Sequence, residues 1–187
     1  MDCGGAAAGT SYSFLTRSSS FSMVNPPATL RTASETDVPV ILELIRALAE
    51  YEHMSDDCIA TEAKLWASLF GPRPGAEVVL VEVEGGVVAG FALFCGNYST
   101  FLAQPGIWLE DLFVRPEYRG RGLGRLLLGH LARLAVQRGC GRVEWAVLDW
   151  NTPSIGFYES LGARGMTEWT TFRLTGEAMT SLARSAA

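Results

Sequence analysis

Residues 107–137 change their hydrophobic period in mid-segment. IWLEDLFV, residues 107–114, reads as a strand. From Leu123 onward, Leu123, Leu127, Leu131 and Leu134 recur at helical spacings of three and four. That switch dictates a strand, a turn and a helix in immediate succession. The turn is unusual, because Gly120, Gly122 and Gly124 stand at the helix entry, interleaved with Arg119, Arg121 and Arg125. Glycine weakens a helix by about 1 kcal/mol relative to alanine. Arginine is the wrong charge for a helix end whose dipole favours anions. Both features make sense if an anion binds there: the glycines let backbone N–H groups reach it, and the arginines offset its charge. Two common phosphate loops are excluded by spacing. A dinucleotide fingerprint needs glycine where Arg125 stands, and a P-loop needs Lys-Ser/Thr where Arg125-Leu126 stand. A flexible glycine turn without ligand is the plainer competing reading. An arginine–glycine nucleic-acid segment is disfavoured by the helix that follows at once.

The rest of the chain alternates in the same way. A short strand over residues 29–33 precedes a helix from Thr36-Asp37, with Pro39 in its first turn and Ile41, Leu44, Ile45 and Leu48 on its apolar face. Thr61 caps a second helix that ends at Gly71-Pro72. EVVLVEV and VVAGFALFC flank Gly85-Gly86, a hairpin signal. After the glycine-entry helix come a strand over residues 142–150, a helix opened by Thr152-Pro153 and closed by Gly162, a last strand over residues 168–174, and a short terminal helix. The order β-α-α-β-β-β-α-β-α-β is that of a mixed α/β sheet.

Residues 1–27 are rich in Ala, Gly and Ser, with no acid between Asp2 and Glu35, and read as a disordered extension before a domain over 28–187. A targeting peptide is the sharper reading, although Arg17 is its sole base. The net charge of −5 argues against a general nucleic-acid binder and suits cationic ligands. Cys3, Cys58, Cys95 and Cys140 show no paired spacing, and His53 and His130 lie far apart, so no metal framework is expected and a reducing, cytoplasmic compartment is. No apolar run of about 18 residues predicts a membrane span.

Arg119-Gly120-Arg121-Gly122-Leu123-Gly124 resembles the Arg/Gln-x-x-Gly-x-Gly/Ala motif of the GCN5-related N-acetyltransferase (GNAT) superfamily. WNTPSIGFYESLGA, residues 150–163, resembles that family's second coenzyme-binding region. NYSTFLAQPGIWLEDLFVRPEYRGRGLG and GRVEWAVLDWN are similar to the diamine (spermidine/spermine-type) branch, and within it to thialysine, ornithine and diaminopropane acetyltransferases. The resemblance covers about residues 29–180. It implies a mixed, mostly antiparallel central sheet flanked by helices, acetyl-CoA as cosubstrate, a small cationic amine as acceptor, and a homodimer to which Trp169 and Phe172 contribute.

Carried over residue by residue, the resemblance assigns Leu112, Phe113 and Val114 to the thioester, held by backbone N–H groups as in an oxyanion site. Residues 120–125, with Arg119 before them, take the pyrophosphate, and Asn151 and Ser154 make further coenzyme contacts. Tyr158 matches the tyrosine that protonates the departing thiolate; a free phenol titrates near ~10 and suits that task. Without the resemblance, a core tyrosine beside Ile155 and Leu161 is the plainer reading. Glu110 matches a glutamate that contacts the amine and relays its proton through water, since an alkylammonium must lose a proton before it attacks. Its neighbour Asp111 reads as a salt-bridged or edge residue. Tyr51, Glu52, Glu144, Trp145 and Ala146 match substrate-lining positions. The branch's acidic residue before the last strand falls on Thr170, or on Glu168 with a small gap. Acetylation of a peptide or protein amine, and a coenzyme-binding module without turnover, are the alternatives.

Overall fold

The computed structural model describes residues 28–186; the extension expected over residues 1–27 lies outside them. The chain divides into two compact units, one running through Glu144 and the other from Trp145.

The first unit is a five-stranded sheet in the order β1-β2-β3-β4-β5. Its strands are β1 (Thr29–Thr32), β2 (Glu77–Val83), β3 (Val87–Ser99), β4 (Gln104–Val114) and β5 (Val143–Glu144). The first four pair antiparallel, and β4 pairs parallel with β5 through Ile107↔Val143 and Trp108↔Glu144. Three helices accompany it: α1 (Val38–Tyr51), α2 (Glu62–Leu69) and α3 (Leu123–Gln137). The central strands are hydrophobic on both faces, which requires cover on both. On β2, Val78 and Leu80 join Ile41, Leu44, Leu65 and Leu69 of α1 and α2 in one cluster, while Val79 and Val81 are buried on the other face. Each fully buried Leu, Ile or Phe contributes roughly 1.5–3 kcal/mol.

The start of α1 is tied to the sheet by charge. Asp37 accepts from the backbone N of Ser34 at 2.7 Å and pairs with Arg31 of β1 at 2.7 Å, and Arg31 also reaches Glu82 of β2 at 2.7 Å. The Arg31 hydrogen bonds hold the Asp37 carboxyl well below the usual carboxylate range. Thr61 caps α2 as expected, its side chain accepting from Lys64 N at 3.3 Å.

Two features of this unit go beyond the sequence reading. The β3–β4 hairpin is long, its strands pairing as far as Ser99↔Gln104. GNYSTFLAQPG, residues 96–106, hides that extension, because its polar residues, glycines and Pro105 do not alternate with apolar ones. The second feature is a bulge in β4. Leu93 lies opposite Asp111 and Phe94 opposite Leu109, so Glu110 is an extra residue without a partner on β3.

The second unit contains α4 (Thr152–Ser160) and α5 (Gly176–Ser185). Two expected strands are corrected here. The strand over residues 142–150 shrinks to Val143–Glu144; its ladder with β4 ends at Trp108, two residues before the bulge. Residues 168–174 form no strand and are exposed. Their aromatic and Thr residues favour β structure only when a neighbouring strand takes up the backbone hydrogen bonds, and no strand pairs with them among the described residues. The helix cap also moves by one residue: Asn151, not Thr152, caps α4, its side chain accepting from Ser154 N at 3.3 Å.

Candidate active site

The bulge decides which side chains of β4 face α1 and α2. Along an unbroken strand, Ile107, Leu109, Asp111 and Phe113 share one face. Here Phe113 belongs to the cluster under α1 and α2, together with Phe91 and the partly buried Leu93, which is Asp111's partner. Ile107 and Leu109 are buried outside that cluster. One extra residue therefore turns Asp111 from the face of Leu109 to the face of Phe113.

Asp111 there lines a cavity of about 590 Å³ that is open to solvent. Its apolar walls come from Ile45 and Leu48 of α1, Leu65 of α2, and Met54 and Ile59 of the connection between them. Glu52, Asp57 and Asp111 supply acid, and Lys64 supplies base. Burial, then the nearby charges of Glu110 and Glu52, push the Asp111 carboxyl up to about 6. Burial also raises the Glu52 carboxyl. Among the described residues Asp111 makes no salt bridge. Glu110 points elsewhere: it is exposed and accepts from the Trp108 indole N–H at 2.7 Å.

Beyond Trp108 the edge of β4 that faces β5 carries no ladder among the described residues, while Leu112, Phe113 and Val114 pair with β3 on the other side. Backbone groups on an unpaired edge remain available to a ligand. The glycine loop follows directly. Gly120 and Gly122 adopt φ values of 74° and 79°, a conformation in which any side chain is strained. The first helical bond of α3 is Leu126 N to Gly122 O at 3.0 Å, so the N–H groups of Leu123, Gly124 and Arg125 have no intrahelical acceptor. An extended thioester followed by a pyrophosphate fits this sequence of open edge and open helix end.

The arginines divide. Arg119 lies over the Tyr51 ring at 4.7 Å and the Phe113 ring at 5.5 Å, and its Nε donates to Val114 O at 2.9 Å. Arg121 stacks on Tyr118 at 5.2 Å and donates to Glu117 O at 3.0 Å. Arg125 is exposed on the first turn of α3. Glu144, expected to line the substrate, accepts from Asn97 at 2.9 Å and pairs with Arg142 at 2.7 Å.

In the second unit, Tyr158 is half-buried on α4, with ring centroids 4.9 Å from Trp145 and 5.3 Å from Phe157. Ser154 lies one turn before it, and Asn151 is buried at the helix cap. Ala146, Glu168 and Thr170 are exposed. Sequence reasoning missed Asp57 and Lys64, which sit on a single 3-10 turn (Ser55–Asp57) and on α2, without a motif. Asp111 is a correction: the sequence reads it as a salt-bridged or edge residue, whereas it is half-buried in the cavity lining and makes no salt bridge among the described residues.

The acetyltransferase (GNAT) family model matches residues 42–163. The chain is 40% identical over 164 residues to thialysine N-epsilon-acetyltransferase of Sus scrofa, covering 82% of this chain and 96% of that protein. It is 36% identical over 197 residues to L-ornithine N5-acetyltransferase NATA1 of Arabidopsis thaliana, covering 82% and 86%. Among solved structures, an integron cassette protein from the mobile metagenome of V. cholerae superposes with a TM-score of 0.71 at 26% identity, over 84% of this chain and 98% of that one.

Proposed function

The chain belongs to the acetyltransferase (GNAT) family, and from that premise we propose that it acetylates a primary amine of a small diamine or diamino acid held in the cavity beside β4. The observation that carries this reading is the placement of Asp111 and Glu52 in an apolar-walled cavity, next to the open edge at Leu112. An alkylammonium needs an acid partner and a dry wall for its stem, and the cavity supplies both. The ornithine and thialysine enzymes described above take substrates of this kind by name.

Acetyl-CoA supplies a thioester whose carbonyl carbon accepts the amine. The backbone of Leu112, Phe113 and Val114 would orient the thioester, and the loop from Arg119 through Gly120, Arg121, Gly122, Leu123, Gly124 and Arg125 would hold the pyrophosphate. Asp111 and Glu52 bind the ammonium, Glu110 relays its proton through water to solvent, and Tyr158 gives a proton to the thiolate. A homodimer belongs to the same proposal, supported by Trp169 and Phe172, which are 71% and 92% exposed. So does a reducing, cytoplasm-like compartment, supported by the unpaired Cys58, Cys95 and Cys140. Among the described residues no helix is long and apolar enough to cross a membrane, and no group of His, Cys, Asp and Glu is placed to hold a metal.

Thiol release from acetyl-CoA with a panel of amines tests the reading, with mass spectrometry locating the acetyl group. Acetylated diamines or diamino acids are expected. Acetylation confined to peptide N-termini or protein lysines would replace the substrate class, and coenzyme binding without thiol release would indicate a regulatory module.

A further inference from the structure

The cavity contains one charge of the opposite sign to the rest. Lys64 lines it together with Glu52, Asp57 and Asp111, and is the sole base in that lining. A site shaped for a polycation alone would have no use for a base, because a second ammonium beside it is repelled. Lys64 is held in place. Its backbone N is bound by the Thr61 cap at 3.3 Å, and its Nζ donates to the carbonyl of Ile59, another lining residue, at 3.1 Å. An ammonium has three donors, so two are left for an anion. Lys64 is exposed and Asp111 half-buried, which puts the base nearer solvent and the acid deeper. Ile45, Leu48 and Leu65 stand in the lining with them.

Building on the small-amine reading of this cavity, we infer that Lys64 is a specificity-determining residue that binds the α-carboxylate of a zwitterionic diamino acid and disfavours simple diamines. The side-chain ammonium lies at Asp111, the methylene stem along the apolar wall, and the carboxylate at Lys64. The α-ammonium is left to Glu52 and Asp57. The preferred substrate class is thus an amino acid with a second amine on a short unbranched chain. The reaction is unchanged: the N–C bond forms at the side-chain amine as the C–S bond of the thioester breaks.

The test compares ornithine with 1,4-diaminobutane, which differs from it by the carboxylate alone, in the wild type, Lys64→Met and Lys64→Arg. The ratio of kcat/KM values, ornithine over diaminobutane, should fall roughly 10- to 100-fold in Lys64→Met, as expected for loss of a charge-assisted hydrogen bond. The fall should appear in KM rather than kcat, diaminobutane should gain, and Lys64→Arg should keep the preference. Ornithine methyl ester serves on the wild type alone: it should lose most of the advantage of ornithine, whatever the variants' folding. A ratio within twofold of wild type in Lys64→Met, or an ester as good as ornithine, overturns the inference while leaving the small-amine reading intact. Absence of thiol release with every small amine overturns both.

Discussion

Up to Glu144 the chain buries Leu44, Leu80 and Phe91 to 0% exposure, whereas from Trp145 onward Asn151 is the buried residue among those described, and Phe172 stands 92% exposed. The first unit is held by a two-faced core, and its proposed ligand sites are openings in that core: a cavity, a strand edge, a helix end. The second unit has local order from caps and turns. Asn151 starts α4, and Gly162 N returns to Glu159 O at 2.9 Å to close it. Yet this unit carries the residue proposed to protonate the leaving group. The contrast teaches that the stable part of the molecule and the reacting part need not coincide. It also teaches that the second unit's apolar surface calls for cover, which the proposed homodimer would provide.

The largest expected effect lies in the less buried unit. Tyr158→Phe removes a hydroxyl and leaves the ring beside Trp145, so turnover should drop by roughly 10²–10⁴ with little change in the amine's KM. Near-normal turnover, when chemistry limits the rate, would remove catalysis from the second unit. In the first unit the large effect should be on stability instead. Leu44→Ala leaves a cavity in the core and should cost about 2–5 kcal/mol, read from denaturant midpoints; a loss below about 1 kcal/mol would show that the core is not where the stability lies.

Replacing Gly122 and Gly124 with valine should abolish thermal protection by coenzyme A, which for the intact loop at a hundredfold excess over Kd is about 2.7 kcal/mol. Undiminished protection in the double variant would move the pyrophosphate elsewhere. Asp111 gives the next effect. Its folded-state pKa of about 6 stands above the ordinary 3.8, so the folded chain keeps a proton that the unfolded chain has released. Stability therefore falls as pH rises from about 4 to about 6 and then levels off. Asp111→Asn should flatten that slope and add on the order of 1–3 kcal/mol above pH 7. An unaltered slope would mean that the carboxyl is solvated. The smallest change belongs to Phe172→Ala, which should alter unfolding of a dilute monomer by less than about 0.5 kcal/mol while shifting the sedimentation equilibrium away from dimer. A large monomer destabilisation would contradict the contrast between the units.

The sequence was legible where burial enforces a period. Ile41, Leu44 and Leu48 announce α1, EVVLVEV announces β2, and the leucines after Gly122 announce α3, because each pattern has one packing solution. Turn chemistry was equally plain at Gly85-Gly86 and Thr61. It failed where neighbours decide. EWTTFRL has strand propensity but no strand pairs with it among the described residues, and residues 145–148 lose theirs where the β4 ladder ends. In the candidate site, the glycine loop could be found from local spacing. The cavity could not, since Glu52, Lys64 and Asp111 are brought together from two helices and a bulged strand that share no motif.

Glu110 has a further meaning for how this chain tolerates change over generations. A substitution there alters one exposed side chain. Deletion of its codon makes Leu109 and Asp111 neighbours opposite Phe94 and Leu93, a strict alternation that keeps Asp111 on the face of Phe113 and apart from Leu109. Loss of Leu112 instead would turn Phe113 away from Phe91, its partner across the ladder. The bulge is thus a place in β4 where a codon can be lost without reversing the strand beyond it.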